Sequence, residues 1–333
     1  MIWVQWGLED RVVVDSGVWL CHQCNTCTTY CPRDAKPGDV MAALREYNIA
    51  HYAVPHFMGT AIGNPKYLPL LLGFPALILL AVLASLGNLA ALPEGAIVFS
   101  KFMPILYVEA IFILAVGAAV FAGAWGGRRY WKALNEASPH PGSAVAQVRS
   151  TLSDILRHKV FEKCAQHWEG TRETHQSHLR KMHLAIFYGF IGLVITTTSV
   201  AIGIYLFDYL TPWPLWHPVK ILGNGSGVAV LFACAVFLAR RWKGEEKAGK
   251  SSYTDWLFLG AIGATALTGF LCQLFRLGGS ATLAYGTYFV HLVLIFFLLV
   301  YLPYSKFAHL IYRSVAMLHS SNSIAAENVR RPA

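Results

Sequence analysis

Four cysteines and a few histidines set in apolar surroundings are the residues of this chain that could hold redox metal. The cysteines lie in "CHQCNTCTTYCP": Cys21, Cys24, Cys27 and Cys31, followed by Pro32, in the spacing C-x2-C-x2-C-x3-C-P. Thiolates are soft ligands for iron clusters, and cysteines at i, i+3 and i+6 can wrap a loop around one face of a cubane. Pro32 then turns the chain away. In two-cluster ferredoxins the fourth cysteine of such a run ligates the other cluster. With one run here, either Cys31 closes a single 4Fe–4S cluster with the other three, or its partner motif is missing. A structural zinc site is the competing reading. Zinc sites usually show two CxxC pairs with a longer gap.

His291 and His309 are 18 residues apart. On one continuous helix that is five turns, so both project from one face, roughly 27 Å apart along the axis. The spacing predicts two haem b groups stacked across a membrane, each taking one imidazole from this helix. The plainer alternative is a hydrogen-bonded core histidine at 291 and an interfacial one at 309. His183, in "HQSHLRKMHLAIFYG", is the expected second ligand at the His309 level; His175 and His178 compete from a turn or two further into the loop. At the His291 level the same helix offers Leu193. His217, in "WHPVKILGN", is therefore the remaining candidate, with a helix-start histidine before a proline as its alternative. Lys220 and Asn224 are i, i+4 on one face. With Arg276 they could steer a quinone headgroup or a haem propionate; interfacial snorkelling is the plainer role. Glu109 sits in an apolar run, where a carboxylate is costly unless it faces protein or water. Asp255 and Trp256 read as interface anchors.

Apolar helices must position these groups, and the composition supplies them. Hydrophobic residues make up 55% of the 333 and charged ones 14%, a balance that suits an integral membrane protein. Six runs, near 67–92, 103–126, 183–208, 216–240, 254–276 and 282–305, reach the roughly 20 residues a span needs. The pattern predicts an all-α integral membrane protein. Residues 1–66 form an N-terminal helical ferredoxin-like segment and connector. Residues 67–320 form a six-helix cytochrome b bundle with a long loop at 128–181, and 321–333 a tail. Gly189, Gly192, Gly203, Gly263 and Gly269 are expected to allow close helix packing.

The net charge of +9 is written into loops. Of 27 Lys and Arg residues, 24 fall in the N-terminal segment, the 128–181 and 240–250 loops and the tail, which a six-span bundle puts on one face. Only Lys101, Lys220 and Arg276 lie near the other. The positive-inside rule predicts a protein of the cytoplasmic membrane with both termini and the long loop cytoplasmic. The same clustering argues against a nucleic-acid face. The opening residues lack the basic and apolar regions of a cleavable signal, which keeps the cysteines in a reducing compartment. With the chain's size, that argues against a disulfide framework. Cys164, Cys234 and Cys272 are scattered.

The segments "WLCHQCNTCTTYCPRDAKPGDVMAALRE", "HLAIFYGFIGL", "WHPVKILGN" and "HLVLIFFLLVYLPYSKFAHLIYR", in this order, resemble the C subunits of quinone-interacting membrane-bound oxidoreductase complexes (QmoC). Such subunits are similar to a fusion of heterodisulfide reductase C and E subunits, and their membrane half is similar to the gamma subunit of respiratory nitrate reductase. The resemblance covers nearly the whole chain. It implies electron transfer between membrane quinone and soluble flavin and Fe–S subunits, through haem b and Fe–S clusters, tied to adenylylsulfate reductase in dissimilatory sulfur metabolism. In the gamma-subunit pattern the two-histidine last span matches His291 and His309, and His183 matches the facing ligand; the facing span's second histidine is absent. An upstream cysteine run usual in the family is also absent, and "MIWVQWGLEDR" resembles the linker that follows it. The sequence thus supports one complete cluster, with an internal start or a lost cluster as the two explanations. A related subunit serving sulfite or heterodisulfide reduction is the first alternative. A non-redox membrane anchor or transporter with structural histidines is the second.

Overall fold

The computed structural model describes residues 2–139, 144–157, 172–244 and 249–330, and every regular element among them is helical. Cys164 lies outside this set, as do the side chain of His175 and most of the long loop.

Short helices α1 (Ile2–Gln5), α2 (Glu9–Val13), α3 (Gly17–Leu20) and α4 (Thr26–Thr29) carry the cysteine motif. α5 (Pro37–Tyr52), α6 (His56–Ile62) and a 3-10 turn at Pro65–Tyr67 connect it to α7 (Leu68–Ser85). Then come α8 (Phe99–Phe102), α9 (Ile105–Ala137), α10 (Ala144–Arg157), α11 (Arg172–Phe207), α12 (Pro218–Trp242), α13 (Tyr253–Leu277), α14 (Ala281–Val300) and α15 (His309–Arg330). α7, α9, α11, α12, α13 and α14 are the six helices long and apolar enough to cross a bilayer. The protein is a multi-pass membrane protein. The first span stops at Ser85, short of the expected 92, and the second runs on to Ala137.

The spans pack largely in chain order: α11 on α12, α12 on α13, α13 on α14, and α14 on α7 and α9. In lipid, close backbone approach must replace hydrophobic burial as the glue. Gly192 provides it: a Cβ there would collide with Ser226 Oγ of α12. Gly263 has no such crowding, its added Cβ meeting only Cys234 Cβ at 3.8 Å.

Local chemistry sets the helix starts. Pro218 occupies the first turn of α12, with His217 as its cap. Ser252 and Asp255 form a reciprocal capping box on α13.

One expectation fails here. Residues 282–309 do not form a single helix. α14 ends at Val300, 3-10 turns cover Leu302–Tyr304 and Lys306–Ala308, and α15 starts at His309. Pro303 supplies no N–H and clashes with the preceding turn, and Ser305 Oγ accepts from Phe307 N–H at 3.2 Å, starting the second turn. The five-turn alignment of His291 and His309 is therefore not a property of one helix face.

α15 leaves the spans and packs on α9, α10 and α3. There Trp19 stacks on Tyr312 with ring centroids 5.3 Å apart, and Tyr52 and Tyr130 complete a buried aromatic core. Burial pushes the Tyr52 hydroxyl up to about 12, and it donates to Val13 O at 2.9 Å. This core joins the cysteine segment to the bundle.

Candidate functional site

The cysteine loop begins where α3 ends at Cys21. Gln23 and Asn25 then take left-handed backbone conformations, φ 51° and 55°. These two reversals coil the chain tightly; asparagine tolerates that region, a glutamine less so. All four motif cysteines are free thiols, with Cys24 and Cys27 exposed and Cys21 and Cys31 half-buried. Among the described residues no three His, Cys, Asp or Glu side chains close on one point as a single metal ion requires.

Two arginines hold the base of the loop. Arg45 of α5 donates to Val18 O at 2.9 Å, to Gln23 Oε1 at 2.7 Å and to Cys21 O. Its guanidinium also lies over the Trp19 ring. Arg313 of α15 donates to Cys21 O at 3.2 Å and to His22 Nδ1 at 2.8 Å. Burial, with Arg313 and Arg45 adding to it, pulls the His22 imidazole down to about 4. His22 is thus neutral at pH 7 and accepts from Arg313. Two cations at the base of four thiols offset the negative charge that an anionic iron–sulfur group brings, so the residues present fit such a group.

His183 of α11 and His309 at the start of α15 come together. Their ring centroids are 6.3 Å apart and the rings are crossed at 75°. These two imidazoles would hold one iron between them. His309 Nδ1 donates to Lys306 O at 2.6 Å, which leaves Nε2 as the ligating nitrogen. A backbone carbonyl on the other ring nitrogen is the usual outer support of a metal-bound imidazole. The donor set of the pair suits an iron centre.

His291 and His217 engage different partners. His291 faces α13, with Nδ1 2.9 Å from Thr268 Oγ1. A Cβ at Gly269 would sit 3.2 Å from its ring, so that glycine makes room for it. His217 Nδ1 accepts from Val219 N–H at 3.3 Å, and its ring packs on Trp213 at 4.5 Å. This is the helix-start role. Lys220 donates to Gln273 Oε1 of α13 at 3.1 Å, and Asn224 is half-buried one turn on. Glu109 accepts from the Tyr205 hydroxyl.

A charged junction beside the histidine pair has no counterpart among the sequence expectations. Lys306 reaches Asp255 of α13 and lies 3.6 Å from Glu46 of α5. Asp255 also takes Arg241 of α12 at 3.1 Å. Ser252 and Thr254 donate to Glu46. Glu46 and Lys306 are 260 positions apart, and no local pattern links them.

These features define a class: a six-span helical membrane protein with a cysteine-loop segment docked beside a paired-histidine site. The chain belongs to the citrate utilization protein B family, whose model matches residues 63–331. It is similar to citrate utilization protein B of Escherichia coli, 27% identical over 319 residues, covering 90% of this chain and 80% of that protein. It is also similar to a protein of Archaeoglobus profundus that is like the C subunit of heterodisulfide reductase, 42% identical over 48 residues, 14% of this chain and 26% of that protein. A third relative is the E subunit of the dihydromethanophenazine:CoB–CoM heterodisulfide reductase of Methanosarcina thermophila, 25% identical over 206 residues, 57% of this chain and 72% of that protein. The expected kinship with heterodisulfide reductase C and E subunits therefore holds. No solved structure matches.

Proposed function

We propose that this chain is the membrane electron-transfer subunit of an oxidoreductase complex, carrying electrons between the quinone pool and soluble flavin and Fe–S subunits. Haem b at His183 and His309, and a 4Fe–4S cluster at Cys21, Cys24, Cys27 and Cys31, supply one-electron chemistry when bound. The chain's own residues hold, bury and order them. One observation carries the reading: His309, 6.3 Å from His183, shares α15 with Arg313, which is hydrogen-bonded to the cysteine loop. The two sites are thus tied by one turn of helix.

We assign one haem. A second, at His291, whose Nε2 the Thr268 bond on Nδ1 leaves available, would need a ligand other than the helix cap His217. Lys220 and Asn224 then serve helix pairing between α12 and α13. The loop charges favour both termini, and with them the cysteines, on the cytoplasmic face.

The soluble partner's identity is open to two readings. The relatives' names point to citrate utilization and to heterodisulfide reduction, whereas the link to adenylylsulfate reductase and sulfur metabolism has the sequence resemblance as its support. Proteins copurifying with the native complex decide between them. The redox reading itself is tested by the absorption spectrum and by haem and iron counts. His309→Ala should lose haem and keep cluster iron, and Cys24→Ser should do the reverse. Purified protein with neither cofactor, after expression with ample haem and iron, would refute it.

A further inference from the structure

We propose that a groove between α9 and α15 holds an acyl chain of an anionic phospholipid and that Arg128 takes the lipid's phosphate, a site separate from the electron-transfer reading above. The groove has room for about 650 Å³, the size of a small-molecule site. One wall is a face of α9 on which Ala119, Gly123, Ala124 and Gly127 carry little side chain. The other wall joins Leu299 at the end of α14, Leu302 in the helix break, and Ile311 and Val315 of α15. α15 closes the floor by its approach to the glycines. An added Cβ would meet the Ile311 side chain at 2.8 Å from position 123 and at 3.0 Å from position 127. From Val116 to Trp131 the lining face of α9 runs roughly 22 Å, longer than the roughly 15 Å of hydrocarbon in one leaflet. The groove therefore passes from acyl depth to headgroup depth.

Three observations select an anionic lipid. Trp125 and Trp131 flank Arg128, and tryptophan rings near a span end mark the headgroup level. Arg128, at that level, lines the groove and is exposed. Its guanidinium lies 5.8 Å from the centre of the Trp125 ring, and it forms no ion pair among the described residues. The neighbouring cations are committed: Arg129 donates to Tyr52 O at 3.5 Å, and Lys132 pairs with Glu136 at 3.5 Å. A guanidinium can give a phosphate two parallel hydrogen bonds, and basic pockets between spans seat anionic headgroups. Finally, the mixed wall suits a chain better than a helix. A partner helix packs its ridges into the regular grooves of another helix, whereas this wall changes element between Leu299 and Ile311. A flexible acyl chain follows such a surface.

The test uses the full-length protein in nanodiscs of equal phosphatidylglycerol and phosphatidylcholine, released for native mass spectrometry. Wild type should keep one phosphatidylglycerol in preference to phosphatidylcholine. Arg128→Gln should lower that preference about fivefold, the worth of one basic residue at the membrane surface. Lys132→Gln, one turn along the same helix, should leave it unchanged. Ala124→Phe, which fills the groove, should release both lipids; if it fails to assemble, Arg128→Gln decides alone. Equal retention of the two lipids by wild type overturns the site, as does a wild-type preference in Arg128→Gln. An equal fall in Lys132→Gln also overturns it, because the attraction would then be general to the charged face. A second protein chain that wild type holds and Ala124→Phe releases would make the groove a helix interface and sink the lipid assignment.

Discussion

Arg313 stands one helical turn beyond His309 on α15 and donates to the carbonyl of Cys21 at 3.2 Å. The first cysteine of the motif is therefore fixed against the helix that presents the histidine pair. Arg313→Ala removes this bond and the one to His22, at about 1–3 kcal/mol of docking for hydrogen bonds from a charged donor. The expected outcome is retained haem with slower reoxidation of haem by a soluble acceptor and a shifted cluster potential. Stopped-flow absorbance and a redox titration monitored by electron paramagnetic resonance check it. Arg313→Lys should restore charge and only part of the transfer rate, because an ammonium cannot reproduce the two-branched donation.

The single-haem assignment predicts a contrast among histidine variants. His183→Ala and His309→Ala should each abolish the Soret band. His291→Ala and His217→Ala should keep it at full intensity. Haem content per protein, measured by the pyridine haemochrome method, distinguishes one haem from two.

Trp19 is 1% exposed and stacked on Tyr312. Trp19→Ala should destabilise the docked cysteine segment by about 3–5 kcal/mol, the usual cost of deleting a buried aromatic. Limited proteolysis should then cut between residue 1 and the connector while the spans stay intact.

Acid should loosen the same contact in protein stripped of iron. The folded His22 imidazole lies at about 4, below its ordinary 6.5. As pH falls through 6.5 the undocked state takes up the proton first, so docking is fully present above that value and is lost progressively toward about 4. Limited proteolysis of the N-terminal segment followed from pH 7.5 to 4 should report the undocking, and His22→Asn should flatten the profile.

Close packing of α11 on α12 predicts intolerance at Gly192. Gly192→Leu would drive a side chain into Ser226, and overpacking of this kind costs about 1–3 kcal/mol. A lowered thermal midpoint in detergent checks it.

The outline of this protein was legible from sequence because its signals are local. Six apolar runs can only be satisfied as helices in a bilayer, where every backbone group must bond within its own segment. The cysteine run stands out as a motif through spacing alone, and Pro218 after His217 announced a helix start that the structure shows. The pairing of His183 with His309 was also anticipated, from matching depth in the bundle. Counting turns from His291 to His309 misled, because Pro303 and Ser305 end one helix and start another between them.

What only the tertiary structure decided is how the parts meet. Arg45 and Arg313 converge on Cys21 O from opposite ends of the chain. Glu46 meets Lys306 across 260 positions. Charges of this kind carry no period and no motif. Their partners are set by which helix ends the packing of α5, α13 and α15 brings to one place, and that is a property of the assembled bundle rather than of any stretch of sequence.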